Sequence, residues 1–340
     1  MAGMSLQGLS DKLNNLVSKQ ALNKYEQGHM KPSSDVILAL SKALEIKPDY
    51  FLRRNLITPK HLSFRKKVTL SKRIEESIME KAKDYVERFL EIEDILGIDS
   101  SFNNPLDDLI ISKIDDIDKA SLKLREVWEL GINPIPNVIE MLELNGIKVY
   151  LIDEVDDIDG VSFFASENIP VIIVNTRNKP IERIRFTVIH ELAHLLLNLS
   201  AEFKNNKKHI EYYCHRFSSC FLLPSQKLTQ MIGGKHRSYI AINELISIKQ
   251  YFGISIRAVV HRLHSMKIIT NNYYQRWMIY LSKTYGQKKE PGEYIGQENT
   301  TLFAKLINRA LSEDIISISK AAALLNANVN EIRKGKVGAK

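Results

Sequence analysis

The feature that most constrains this 340-residue chain is the pentad His190-Glu191-Leu192-Ala193-His194, set within the run from Arg183 to Leu197. Residues 186, 189, 193 and 196 of that run are apolar at helical spacing, so it reads as an amphipathic helix. Histidines four residues apart on a helix share one face, and both imidazoles can grip the same ion. Zinc suits two imidazole nitrogens, and a zinc site that performs chemistry needs a third protein ligand and one open position. Glu191 lies about 100° round the helix from His190, where it can reach water beside the ion without binding the metal. His190 and His194 are therefore the expected zinc ligands and Glu191 the expected general base. Two unrelated histidines flanking a chance glutamate would give the same letters, but such matches rarely sit in a buried-looking helix soon after a strand.

The third ligand should come from a second helix packed on the first. Residues 207–224 supply one, with Ile210, Tyr213, Cys214, Phe217 and Phe221 as its apolar stripe and Pro224 as its stop. Glu211 lies at its start beside the stripe, and Glu202, His209 and His215 compete with it.

Around this centre the chain divides into several parts. Residues 1–55 read as short helices separated by polar turns. From about Phe64 to Leu96, Ile74, Ile78, Ala82, Val86 and Leu90 recur at helical spacing in a charged stretch, as in a connecting amphipathic helix. A helix is expected over Ile117 to Leu130. The period then changes, and Ile147–Leu151, Val161–Ala165 and Pro170–Asn175 read as short strands, the middle one opened by the turn Asp159-Gly160. Helices resume after Arg183, and a break at Gly286 to Gly296 precedes two last short helices. No apolar run reaches the roughly 20 residues needed to span a bilayer, and no secretory pattern opens the chain, so the cytoplasm is the expected compartment. The two cysteines, Cys214 and Cys220, fall on different faces of one helix and are expected as buried thiols. A formal charge of +8 permits a polyanionic partner. His261 and His264, with Arg257 and Arg262, read as a solvated helix face rather than a second metal site.

The run HELAHLLL followed by E-Y-Y-C-H-R-F-S-S-C-F-L-L-P resembles the ImmA/IrrE family of metallopeptidases, in which HExxH is followed by E-x-x-A-[ND]-x-F-A-x-x-L-[LM]-x-P. The resemblance extends to Trp128-Glu-Leu-Gly131 with Pro134-Ile135, to Asp159-Gly160, to Ile172–Asn175 and to Arg185-Phe186-Thr187. Aligning Phe217 and Pro224 puts the family's ligand glutamate on Glu211. This chain departs from the pattern at Cys214 and Ser218, where the family has alanine, at His215 for Asn/Asp, and at Asn198 for a histidine. His215, one turn from Glu211, is expected either to hydrogen-bond a metal ligand or to bind the ion adventitiously.

The N-terminal segment carries a second resemblance. Ser5 to Leu13 reads as a helix, Asn14 to Val17 as a turn, and Ser18 as the N-cap of Lys19–Gln27, stopped by Gly28; a further helix spans Asp35 to Leu44. With Tyr25-Glu-Gln-Gly28 and Lys31-Pro-Ser33, this is similar to the Cro/phage-repressor (XRE) helix-turn-helix. That resemblance implies a second helix in the major groove, with Gln20 and Asn23 reading bases, Lys19 and Lys24 meeting phosphate or guanine, and the N-cap Ser18 also on the DNA. XRE domains begin with one more helix, which here would precede Ser5. Its absence would expose apolar surface of a core formed by Leu9, Leu13, Leu22, Tyr25, Ile37, Leu40 and Leu44. The expectation is a start upstream of Met1, with the connector helix or a second subunit as alternative covers.

The expected protein is α+β and mostly helical: a helix-turn-helix (1–55), a helical connector (56–125), a zinc-peptidase core with a small sheet (126–265) and a C-terminal helical module (266–340). The resemblances imply a zinc endopeptidase that binds operator DNA, as a dimer, and cleaves a partner repressor or regulator. The alternative is a DNA-binding regulator or antitoxin whose zinc site is structural or sensory.

Overall fold

The computed structural model describes residues 4–46, 48–52, 59–60, 72–154, 158–166, 168–204, 206–234, 236–286 and 289–334. The chain begins with three short helices, α1 (Leu6–Lys12), α2 (Lys19–Glu26) and α3 (Ser34–Leu44). Ser5 and Ser18 cap the first two, their hydroxyls accepting from the amides of Gly8 (3.0 Å) and Ala21 (3.2 Å). Beyond α2, Gly28 takes φ +70°, a conformation that favours glycine. Leu13, Val17, Leu22, Leu40 and Ala43 form the core of these helices, and Leu9, Tyr25, Leu44 and Phe51 pack on it. Ile37, expected in that core, is only half-buried. Val36, Ala39, Leu40 and Ala43 define the inward face of α3, and Ile37 falls to one side of it. The buried Ser10 hydroxyl donates to the Val17 carbonyl at 2.7 Å and ties the turn to α1.

A short strand, β1 (Pro59–Lys60), and a long helix, α4 (Lys72–Ile95), follow. The expected helix from Phe64 to Ser71 lies outside the described residues. Then come β2 (Ile110–Ile111), α5 (Ile114–Val127), α6 (Val138–Leu144), β3 (Lys148–Ile152), β4 (Gly160–Ala165) and β5 (Ile169–Asn175). The central helix α7 (Ile181–Leu196) leads through β6 (Asn198–Leu199) and α8 (Ala201–Lys204) to α9 (Lys207–Leu222). Helices α10 (Ser225–Ile232), α11 (Ile242–Phe252), α12 (Ile256–Ser265) and α13 (Asn271–Tyr285) complete this part, before α14 (Leu302–Ser312), α15 (Ile318–Leu324) and α16 (Val329–Arg333). The sequence pattern missed α6, a two-turn helix capped by Asn137. It also set α5 about one turn late, because the helix starts where Asp116 accepts from the Ser112 and Lys113 amides.

The main sheet has the order β1-β4-β5-β3. β4 and β5 form an antiparallel hairpin with Val161 opposite Ile173, and β3 runs parallel to β5 with Tyr150 opposite Ile173. β5 is buried from Pro170 to Asn175, as a continuous apolar run covered on both faces should be. β4 alternates instead: Val161, Phe163 and Ala165 are buried, while Gly160 and Ser162 share the other face.

The chain separates into two compact units. One contains α1–α3, α4 to Ser100, and residues from Thr301 onward; the other contains β1 and Ser101–Thr300. α4 is thus more than a connector. Its buried face is Ile78, Met79, Ala82, Tyr85, Val86, Phe89 and Ile92, and Ile74 and Leu90 lie off it. Phe89 stacks on Phe303 of α14 (centroids 5.2 Å apart), Arg88 donates to the Leu324 carbonyl of α15, and Lys320 pairs with Glu91.

The second unit also takes in residues 101–125 and 266–300, placed by sequence in the connector and the C-terminal module. The break after α13 is a strap fastened by two glutamates. Glu290 accepts from the Ile256 and Arg257 amides at the start of α12 (2.6 and 3.0 Å). Glu298 accepts from the Val138 and Ile139 amides at the start of α6 (2.8 and 3.0 Å) and pairs with the fully buried Arg185 of α7. Burial pushes the Glu298 carboxyl up, against the pull of Arg185 and the two amides. Arg185 also donates to the Ile135 carbonyl and to the adjacent Phe252 and Gly253 carbonyls, so it anchors α7 to two further segments. Removing one partner leaves a buried, uncompensated charge, which costs about 3–5 kcal/mol. Glu298→Ala is therefore expected to lower the stability of this unit by about that amount in urea unfolding, whereas removal of the exposed Asp108, paired with Lys123 in the same unit, should change it by less than about 1 kcal/mol.

Candidate metal centre

α7 is buried nearly all round: Ile184, Val188, Ile189, Leu192, Ala193 and Leu196 pack into the core with His190 and Glu191 among them. It lies against β4 and β5 on one side and α9 on another. α9 starts at Lys207 because Asn206 caps it, its side chain accepting from the Lys208 amide. Burying Tyr213, Cys214, Phe217 and Phe221 then turns Glu211 toward α7. His190 Nε2 lies 3.0 Å from His194 Nε2 and 3.1 Å from Glu211 Oε2. One ligand atom from each of the three residues falls within 4.8 Å of the others.

This donor set suits zinc. Tetrahedral bonds of about 2.0–2.1 Å set neighbouring ligand atoms about 3.3–3.4 Å apart, close to the spacings found. The cluster also has a polar backing. Cys214 Sγ lies 2.8 Å from His194 Nδ1, on the far side of that ring from the other ligand atoms. His190 Nδ1, by contrast, is buried with no hydrogen-bond partner among the described residues. Sequence reasoning took Cys214 only as a packing residue and a departure from an alanine. The other such departure is absorbed within α9, where the buried Ser218 hydroxyl donates to the Cys214 carbonyl at 2.7 Å.

Glu191 accepts a hydrogen bond from the Ser162 hydroxyl of β4 at 2.8 Å. Ser162 was not anticipated; its signal was the two-residue spacing from Gly160 on one face of an expected strand. At the start of β4, Asp159 pairs with Lys179 (2.8 Å) and Arg183 (2.7 Å). Burial pushes the Asp159 carboxyl up, but the two cations outweigh it and hold it at about 2.

The competing ligands lie elsewhere. Glu202 sits on α8 near Tyr213, and the His209 ring is 6.2 Å from that of Tyr213. The exposed His215 stacks on Phe186 (5.6 Å between centroids), with its ring 4.5 Å from that of His190, so it borders the cluster without joining it. The expected solvated face around His261 is only partly so. Arg262 is buried and reaches Asp118 Oδ2 (3.4 Å), while Arg216 and the Cys220 thiol both donate to Asp118 Oδ1 (2.9 Å each). His264 stacks on Tyr274.

Comparison with known families gives two matches. Residues 143–264 match the model of the IrrE N-terminal-like domain, a peptidase family, and residues 1–51 match a helix-turn-helix model. The chain joins a helix-turn-helix domain to an IrrE-like peptidase domain. No curated protein matches the chain. The IrrE-like match runs from the end of α6 through α12 and includes both helices of the His190, His194 and Glu211 cluster. In the helix-turn-helix domain, Ser18, Lys19, Gln20, Asn23 and Lys24 are all exposed on or beside α2. Among the described residues no helix is long and apolar enough to cross a membrane.

Two outcomes follow from the site's surroundings. Cys214→Ala removes the polar partner of His194 and should weaken metal affinity about 10–100-fold in a chelator competition, with little change in melting temperature. The Asp159 pairing has a defined pH dependence. Its folded value of about 2 lies below the ordinary 3.8, so its contribution is complete above about pH 4 and lost as pH falls through about 2. The stability difference between the native chain and Asp159→Asn should therefore be constant from pH 5 to 8 and shrink only below about pH 4.

Proposed function

We propose that the IrrE-like domain is a zinc endopeptidase, with His190, His194 and Glu211 as metal ligands and Glu191 as general base. The observation that carries this reading is the convergence of three ligand atoms from α7 and α9, with Glu191 next to His190 on α7. A zinc ion held there would act as a Lewis acid toward a peptide carbonyl and draw the pKa of water toward about 7. Glu191, turned about 100° from His190, reaches beside the ligand cluster rather than into it. It accepts a proton from the attacking water as the C–O bond forms, and delivers it to the amine as the C–N bond breaks. Each ligand histidine would present Nε2 to the ion.

The helix-turn-helix domain gives this chemistry an address. α2 presents Gln20 and Asn23 toward base edges, with Lys19 and Lys24 placed for phosphate, and the substrate is a regulator or repressor protein bound nearby on DNA. The placement of a general base beside the cluster favours peptidase action over a purely structural or sensory metal, which has no use for one.

The purified chain should hold about one zinc, and the double substitution His190→Ala/His194→Ala should hold none. Glu191→Gln should keep the metal and lose cleavage, because an amide cannot take the proton. Glu211→Ala should weaken zinc binding far more than Glu202→Ala or His215→Ala; equal losses would move the third ligand. For DNA, the upstream region of the chain's own gene should be bound in a salt-sensitive way, with Lys19→Ala reducing the slope of log K against log salt by about 1. Gln20→Ala should relax sequence preference while leaving that slope unchanged.

A further inference from the structure

A strand outside the motif helix reaches the proposed base. The face of β4 that carries Gly160 and Ser162 lies against α7. A Cβ added at Gly160 would fall 2.8 Å from Thr187 Cγ2 and 3.0 Å from Glu191 Cγ, so only a residue without a side chain permits this approach. Just before it, Asp159 is tied to Lys179 and to Arg183 in the first turn of α7. Strand and helix are thus pinned at one end and pressed together one residue later. Two residues further along, the period of the strand returns the chain to the same face. There the Ser162 hydroxyl donates to Glu191 Oε2 at 2.8 Å.

We infer that Ser162 is a positioning residue for Glu191, holding the carboxylate of the base at the angle from which it exchanges protons with water and with the leaving amine. This inference rests on the proposed role of Glu191. Glutamate has three side-chain torsions, and proton transfer requires its carboxylate to be held within about 0.5 Å of a productive position. A hydroxyl donor on a sheet strand supplies that restraint, and its bond to an ionised carboxylate is stronger than one between neutral groups. Deleting partners of this kind typically costs about 10–100-fold in activity or affinity at the site they support. A serine that merely satisfied its own hydroxyl would leave the behaviour of Glu191 unchanged.

The test uses the full chain loaded with cobalt, whose visible absorption reports occupancy of the metal's open position, and acetohydroxamic acid as the probe. On binding, the hydroxamic O–H bond breaks, the oxygen goes to the metal and the proton goes to the neighbouring base, so affinity reads the base without needing the natural substrate. Ser162→Ala should hold the same metal and melt at the same temperature as the native chain, yet bind the probe about ten-fold more weakly. Ser162→Thr, which keeps the hydroxyl, should restore most of that affinity, and Glu191→Gln should weaken it at least as much as Ser162→Ala. With a cleavable protein substrate, the same loss should appear in kcat and leave KM unchanged. Native affinity in Ser162→Ala alongside weakened binding in Glu191→Gln would overturn the inference while leaving the base in place. Native affinity in Glu191→Gln would remove the base, and the role of Ser162 with it. Loss of metal or a lowered melting temperature in Ser162→Ala would make the serine a structural residue and overturn the inference as well.

Discussion

The packing of α7 on α9 is the contact on which the site depends. α7 carries two imidazoles one turn apart, but two donors leave a zinc site short of the three protein ligands that catalysis requires. The third arrives only because the apolar stripe of α9, with Tyr213, Cys214, Phe217 and Phe221, has one way to bury itself against α7. That choice sets the rotation of α9 and hence the side on which Glu211 lies. The proposed metal chemistry is therefore a consequence of hydrophobic phase. A substitution that rotated α9 by one residue would move Glu211 by about 100° and dissolve the cluster without touching a ligand.

α7 is held as firmly as its partner requires. Arg185 fastens it to three loop carbonyls and to Glu298, and Asp159 grips its first turn through Arg183. These polar anchors sit at the end of α7 opposite His194. The face bearing His190 and His194 is left to Glu211, Cys214 and the neighbouring His215 ring. A fold that relied on packing alone at such a helix would allow sliding along its axis, and directional hydrogen bonds to buried arginine remove that freedom.

Much of this was legible in the sequence, for identifiable reasons. The strands β3, β4 and β5, both ligand helices and the three short N-terminal helices announce themselves by period and by their caps, which are local signals. His190, Glu191 and His194 share one helix, so their relation needs no knowledge of tertiary structure. Glu211 was one of four candidates until a family pattern selected it, because its closeness to His190 spans two helices. Ser162 and Cys214 were missed on the same ground. Each acts across an interface, and neither residue type is distinctive on its own strand or helix. Glu290 was read as part of a break rich in glycine, proline and charge, and Glu298 just beyond it was not singled out, yet each caps a helix far away in sequence. The pairing of α4 with α14 and α15 was invisible for the same reason: an amphipathic helix shows that it has a buried face, but not what covers it.

The central claim is that two histidines and one glutamate, and no sulfur, hold the metal. X-ray absorption at the zinc edge of the purified chain tests it most directly, because sulfur scatters at about 2.3 Å while nitrogen and oxygen scatter at about 2.0–2.2 Å. The account predicts a light-atom shell with two imidazole signatures and no sulfur, with Cys214 remaining behind His194 as its partner. A sulfur shell at about 2.3 Å would place Cys214 on the metal and contradict the assignment of Glu211.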